Sequence, residues 1–295
     1  MKRALWLFQA CLVFIPTFPI AILPLAFAHK VGEFMGLVLF LAWGSRRRIA
    51  IENLEKAVSA GGLSIPRPAE KVIEENFKNL GRSFVEVVKI YFGMGRGIIR
   101  SVKIVNIENA YKAAAKGKGV LLITGHCGNW ELLALAGSAQ VKGFSVLARP
   151  INNPFLNKFV EKTRQRFGNN VIYKEGALRG MLQAFRNGGT VGILVDQSVM
   201  PDEGYIIEFL GRGAWTTKMP ALIARKFEVP VVPAFIHREG KGHTITIYPE
   251  VPLSDSEDKE KAVIEDTKRF SSHIENYIRE HPTEWLWIHR RWKRV

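Results

Sequence analysis

The stretch Val120 to Gly137, VLLITGHCGNWELLALAG, opens as an unbroken apolar run, passes through glycine, histidine and cysteine, and resumes as an apolar pattern carrying one glutamate. A short apolar run closed by a glycine reads as a buried strand, and the pattern from Trp130 reads as a helix with Asn129 as its N-cap. The same texture recurs downstream. GVLLIT, FSVLAR, NVIYK, TVGILVD, VPVVPAFI and HTITIYP alternate with helical patterns near Glu131 and over Phe155 to Phe167, Leu178 to Phe185, Lys218 to Phe227 and Ala262 to Arg279. Alternation of this kind predicts an α/β fold: a central, largely parallel sheet, buried on both faces and flanked by helices. The chain shows no internal repeat and no low-complexity linker.

The N-terminus has a different character. Lys2 and Arg3 precede residues 4–28, which carry no charge, and His29 and Lys30 follow. As a helix, that segment extends about 37 Å, enough for a hydrocarbon core of about 30 Å. Pro16, Pro19 and Pro24 interrupt it, so a bent or re-entrant segment competes with a straight span. A secretory signal peptide ending near Ala26-Phe27-Ala28 is a further reading. Against it stands the second apolar stretch, VGEFMGLVLFLAWGSRRR, ending in Arg46, Arg47 and Arg48, which suit the cytoplasmic side of a membrane. The expected organisation is an uncleaved N-terminal membrane-anchoring helical segment over residues 1–29 and a catalytic domain over 30–295. Two helical patterns follow the arginines, separated by the turn region from Gly61 to Pro68.

The 295 residues include 42 Lys plus Arg against 27 Asp plus Glu, a formal charge of +15. Such a surplus points to anionic partners: nucleic acid, acidic lipid or an acidic protein. The tail WLWIHRRWKRV interleaves tryptophans with cations, which suits nucleic acid or a membrane surface; the apolar N-terminus favours the membrane. Cys11 and Cys127 form neither a disulfide framework nor a zinc spacing.

Chemistry in open α/β sheets gathers where strands end and helices begin. His126 occupies such an edge, and Glu131, in the first helical turn, could reach back to hold its imidazole as a general base. A lone H-x4-E pattern is equally met by a capping histidine and a glutamate serving the helix dipole. Two further strands strengthen the functional reading: FSVLAR ends in Arg149, and TVGILVD ends in Asp196 and Gln197, so polar groups from separate strands could converge on one mouth. Thr216 and Thr217 end a glycine-bent loop, either as an anion-receiving helix start or as a simple N-cap.

On RRRIAIENL, GHCGNWELLA, LARPINNP, VDQ, FLGRGAWTT and PTEWLWIHRRWK the sequence resembles the lipid A biosynthesis acyltransferases, lauroyl and myristoyl transferases within the lysophospholipid-acyltransferase-like superfamily. The resemblance implies transfer of a fatty acyl group from an acyl carrier protein thioester to a hydroxyl of a lipid A precursor, a secondary acylation of lipopolysaccharide biosynthesis. It implies His126 as the base, Glu131 as its orienter, and Arg149 near the site as an oxyanion or phosphate ligand. Asp196 could orient Arg149 or contact the acceptor, with Gln197 and Asn129 as further substrate or oxyanion contacts. The expected partners are acyl carrier protein, a glycolipid acceptor and inner-membrane lipids, with no nucleic acid. The expected place is the cytoplasmic side of the inner membrane. No cofactor or metal is expected, since phosphopantetheine belongs to the donor. The competing functions are the same chemistry on another glycolipid or a lysophospholipid, and a noncatalytic, membrane-tethered nucleic-acid binder.

Overall fold

A computed structural model describes residues 2–140, 143–173 and 175–295; Met1 of the expected anchor and Lys174 of the NVIYK run lie outside the described residues. Five helices precede the sheet: α1 (Lys2–Ile22), α2 (Leu25–Ala42), α3 (Gly44–Ser59), α4 (Ala69–Tyr91) and α5 (Arg96–Arg100). Strands and helices then alternate as β1 (Lys103–Val105), α6 (Glu108–Ala114), β2 (Val120–Thr124), α7 (Trp130–Gln140), β3 (Phe144–Ala148), α8 (Pro154–Arg166), β4 (Asn170–Tyr173), α9 (Ala177–Arg186) and β5 (Thr190–Leu194). A hairpin of β6 (Gly204–Phe209) and β7 (Arg212–Thr217) leads to α10 (Met219–Phe227), β8 (Val231–Glu239), β9 (Gly242–Ile247) and α11 (Lys259–Glu280).

The sheet order is β1-β9-β8-β2-β5-β3-β4, and every pairing is parallel except β8 with β9. This is the expected α/β class. All five residues of β2 are buried, because helices cover both faces. Its side chains alternate accordingly: Leu121 and Ile123 belong to the core that includes Leu54, Ile73 and Phe270, while Val120 and Leu122 belong to the core that includes Ile90, Leu132 and Leu135. The chain leaves β2 for β3 on one side and leaves β5 for β8 on the other. The border between β2 and β5 is therefore the point where the winding reverses, and a crevice opens beyond their carboxyl ends.

The expected anchor boundary at residue 29 falls inside α2, which runs on to Ala42 and packs on the domain. α2 lies along α4, with Gly32 against Gly81 and Gly36 against Phe77. A Cβ on Gly81 would come within 1.9 Å of the Gly32 carbonyl oxygen, so only glycine allows the two backbones this close.

The C-terminal tail corrects its sequence reading as a membrane surface. Trp285, Trp287 and Arg291 are at most 1 % exposed and belong to the core. Asn53 of α3 donates to the carbonyls of Trp287 and His289, and Asn76 of α4 donates to those of Thr283 and Trp285. The Arg291 guanidinium donates to the Trp215 carbonyl and Thr216 Oγ1 at 2.5 Å each and lies over the Phe209 ring; burial lowers its pKa to about 10. Local alternation of tryptophan and arginine does not distinguish a charge stacked and hydrogen-bonded in the interior from one facing phosphate. Thr216 accordingly sits in β7 and receives Arg291; it opens no helix. The expected glycine-bent loop is the β6–β7 hairpin, whose two-residue turn at Leu210 and Gly211 has φ of 50° and 76°, as a type I′ turn requires.

Candidate active site

The register of two parallel strands builds the site. Thr124 of β2 pairs with Leu194 of β5, and the Val195 amide still donates to the Thr124 carbonyl at 3.0 Å. Two residues beyond this last ladder pair the chains present His126 and Asp196. Their side chains meet at 2.8 Å between imidazole Nδ1 and carboxylate Oδ1, and the His126 amide donates to Oδ2 at 2.9 Å. The Trp285 indole donates a further bond to Oδ2 at 2.8 Å. Asp196, 2 % exposed, is thus a buried carboxylate with three donors aimed at it.

The electrostatics of the two groups are coupled. Burial alone would raise the Asp196 pKa, but the neighbouring imidazole and the bonds from His126 and Trp285 hold it well below the usual range. Burial likewise opposes charge on His126, yet the Asp196 carboxylate prevails and raises its pKa. With Nδ1–H spent on Asp196, the neutral imidazole presents an unprotonated Nε2, which accepts from Gln197 Nε2 at 3.2 Å. The ring stands edge-on to Trp130, at 5.2 Å between centroids. The arrangement can hold a general base in one tautomer, with the basic nitrogen on the side of the crevice.

Glu131 occupies the first turn of α7 as expected, but it does not orient His126. Its carboxylate takes a two-pronged bond from Arg164 of α8, Nε to Oε1 and Nη2 to Oε2 at 2.8 Å each, and a 2.5 Å bond from the Tyr91 hydroxyl. A helix position five residues after His126 places the carboxylate in the same crevice, while the fork geometry of guanidinium selects it as its own partner. Asn129 is also displaced from its expected substrate contact: it is buried, its Oδ1 caps α7 through the Leu132 amide at 3.1 Å, and its Nδ2 donates to Glu86 Oε2 at 2.9 Å. Arg149 follows β3 directly and is exposed, lining the crevice together with His126, Glu131 and Gln197. Asp196 neither orients Arg149 nor faces the crevice; it serves His126 from beneath.

The crevice has a volume of about 1300 Å³. Leu147, Val171, Met181, Leu222, Ile223 and Phe227 supply an apolar wall, and Arg149, Lys218, Lys226, Lys293 and Arg294 supply cations around it. An apolar lining with convergent polar groups fits a ligand that is part hydrocarbon and part anion.

The GHCG turn itself is held from outside the sheet. Gly128, at φ +54°, donates its amide to the Glu284 carbonyl at 2.7 Å, and a Cβ there would strike the Ile236 carbonyl oxygen at 2.2 Å. Cys127 is fully enclosed, forming a bridge with Trp285, and burial pushes its thiol pKa well up, with Asp196 and Glu284 adding to the effect. Such a thiol is inert as a nucleophile. Cys127→Ala is expected to lose less than about fivefold in kcat/KM, under ~1 kcal/mol of transition-state stabilisation. A folded variant with no turnover in the same assay would place the thiol in the chemistry.

Sequence reasoning missed Arg164, Tyr91 and Glu86, which lie on elements with no motif of their own, and Trp285, whose motif gave no sign that it reaches Asp196. Glu86, 1 % exposed on α4, receives a two-pronged bond from Arg238 of β8 at 2.6 and 3.0 Å, one from Asn129, and contacts from His29 of α2 and His243 of β9. Burial would raise its pKa, but these partners hold it well below the usual carboxylate range. One carboxylate thereby ties α2, α4 and the sheet to the cap of α7. Glu86→Ala strands a largely buried Arg238 and is expected to cost about 3–5 kcal/mol in chemical denaturation; an unchanged midpoint would show that the node carries no stability.

Relatives share this sequence over most of its length. The lipid A biosynthesis lauroyltransferase of Escherichia coli K12 is 26% identical over 281 residues, covering 92% of this chain and 87% of the relative. The lipid A biosynthesis palmitoleoyltransferase of the same strain is 25% identical over 257 residues, covering 84% and 79%. The phosphatidylinositol mannoside acyltransferase of Mycobacterium tuberculosis is 20% identical over 247 residues, covering 82% and 75%. The model of the bacterial lipid A biosynthesis acyltransferase family matches residues 2–294, and this chain, with its histidine-bearing crevice at the sheet's switch point, belongs to that family.

Proposed function

We propose that this acyltransferase moves a fatty acyl group from an acyl carrier protein thioester to a hydroxyl of a lipid A precursor, at the cytoplasmic side of the inner membrane. The observation that carries the proposal is the His126 imidazole, locked at Nδ1 by Asp196 with Nε2 directed to a crevice that is apolar on one wall and cationic around it. His126 Nε2 removes the acceptor hydroxyl's proton as the oxygen attacks the thioester carbonyl. The tetrahedral intermediate then expels the donor's thiolate, which takes the proton back from the imidazolium. No acyl-enzyme forms in this scheme. Of the five N–H donors of Arg164, two are spent on Glu131, so an anchored guanidinium has donors left for the oxyanion or an acceptor phosphate; Arg149 is a second cation for the same purpose. Phosphopantetheine enters as part of the donor, and the basic surplus serves both an acidic carrier and an acidic glycolipid.

A second acceptor class has its own support, the likeness to the phosphatidylinositol mannoside acyltransferase, whose name gives a different glycolipid as acceptor. The test is a panel in which purified protein and acyl carrier protein thioester meet a lipid A precursor, a mannosylated phosphatidylinositol and a lysophospholipid. Labelled product from the lipid A precursor is the expected result. Product from another acceptor alone would move the assignment to that lipid; in a parallel panel with the coenzyme A thioester as donor, product there and none with the carrier-protein thioester would remove the carrier protein.

A further inference from the structure

We propose that the membrane attachment is monotopic: α1 and α2 lie on one leaflet of an anionic phospholipid bilayer, and neither crosses it. This rests on the membrane association assumed above and adds its topology.

Both helices are long and apolar enough to span, at 21 and 18 residues with hydropathy 2.0 and 1.5. Their packing argues otherwise. α2 runs antiparallel along α4, with His29 at Glu86, Gly32 at Gly81, Gly36 at Phe77 and Phe40 also at Phe77. A spanning α2 would draw that length of α4 into hydrocarbon with Glu74, Glu75, Lys78 and Arg82, and would carry its own Lys30 and Glu33 as well. These charges pair at the domain surface, Arg82 with Glu33 and Glu75, Lys78 with Glu74, and each is still partly exposed. Charges at mid-membrane depth are rare and face protein or water.

α1 is fastened to the same domain at both ends. Near its start, Asn153, the N-cap of α8, donates to the Trp6 carbonyl at 2.8 Å and to Gln9 Oε1 at 3.2 Å. Midway, Phe14 packs on Phe159 and Phe92, and Phe18 packs on Phe92. At its end, Lys89 Nζ donates to the carbonyls of Ala21 and Leu23 at 2.7 and 2.5 Å. A spanning helix would leave the domain after its first contact; this one lies across it for about 22 Å, from Trp6 to Ala21. The two helices also pack on α4 and α8 far more than on each other, which a re-entrant hairpin would not do.

What remains outward is apolar: Phe8, Leu12, Ile15, Phe34, Leu41 and Trp43 are exposed, with Arg46, Arg47 and Arg48 beside the end of α2. That combination suits the boundary of acyl chains and anionic headgroups, where an amphipathic surface sinks by about 5–10 Å. Asn153 and its neighbours Ile151 and Asn157 join α1 to the crevice wall, so the crevice opens beside the leaflet that holds its lipid acceptor.

The test is sidedness of labelling in the full-length protein. On a Cys11→Ser background, Lys2→Cys, Ile22→Cys at the link between α1 and α2 and, separately, Lys241→Cys in the catalytic domain are treated with a membrane-impermeant sulfonated maleimide, in sealed inverted membrane vesicles and in spheroplasts. Lys2→Cys and Lys241→Cys are expected to label in inverted vesicles, and none of the three in spheroplasts. With Lys241→Cys labelled only in inverted vesicles, labelling of Lys2→Cys in spheroplasts would establish a single span, and labelling of Ile22→Cys there a two-span hairpin; either result overturns the proposal while leaving membrane association intact. Recovery of the wild-type protein in the soluble fraction would overturn both.

Discussion

His126→Ala is expected to lower the rate of acyl transfer by about 10²- to 10⁴-fold while leaving the thermal midpoint close to wild type. The imidazole is partly exposed at the crevice, so truncation removes little buried surface; what it removes is the proposed base at Nε2. It also unpairs Asp196, which keeps the His126 amide and the Trp285 indole as partners, so the carboxylate is not left bare. Initial rates with labelled acyl carrier protein thioester check this, alongside a melting curve. Activity within tenfold of wild type would remove His126 from the proton transfer.

Asp196→Asn is expected to cost a similar about 10²- to 10⁴-fold in kcat with little change in acceptor KM. An amide in place of the carboxylate can turn its NH2 toward Nδ1, which then becomes an acceptor and leaves the proton on Nε2, the wrong tautomer for a base. Loss of the negative charge also leaves the imidazolium unsupported as it forms. Asp196 faces no substrate, so it is a positioning residue, and its variant separates kcat from KM. Glu131→Gln is predicted to act differently. It loosens Arg164, which lines the crevice and is proposed to meet the substrate's charge, and it leaves the His126 tautomer untouched.

The contrast between these two acids shows what the sequence could reveal. Strand, glycine turn and capped helix were legible around His126 because apolar run, Gly125 and Asn129 are local signals. The fold class followed from the same signal repeated. Choosing between Glu131 and Asp196 as the partner of His126 needs the register of β2 against β5, and the two strands are separated by 70 positions at the residues concerned. Nothing in either strand's composition states that Thr124 sits beside Leu194. Asp196 is therefore legible as a strand-end acid without its role, and Glu131, near in sequence, draws that role by proximity.

The tail failed for another reason. Trp285, Trp287 and Arg291 have the composition of an interface, and they are interior because Asn53, Asn76, Trp215 and Thr216 supply their polar partners from distant segments. The motifs RRRIAIENL and WLWIHRRWK, separate in sequence, are two halves of one hydrogen-bonded contact, with Arg46 Nη1 also donating to the Ile288 carbonyl at 3.2 Å. Trp285 then links that contact to Asp196, so the terminal motif reaches the site through one indole.

The measurement that tests the account most directly is the pH dependence of kcat/KM for labelled acyl transfer to the lipid A precursor, in wild type, Asp196→Asn and Glu131→Gln. His126 must be neutral to act, and Asp196 raises its pKa, so the wild-type rate should fall on the acid side of a limb lying above the ordinary imidazole value of about 6.5. Removing the Asp196 charge lowers that pKa, so the residual activity of Asp196→Asn should show the limb displaced to lower pH, while Glu131→Gln keeps the wild-type limb. A limb that moves with Glu131→Gln and stays fixed with Asp196→Asn would contradict the account and return the orienting role to Glu131.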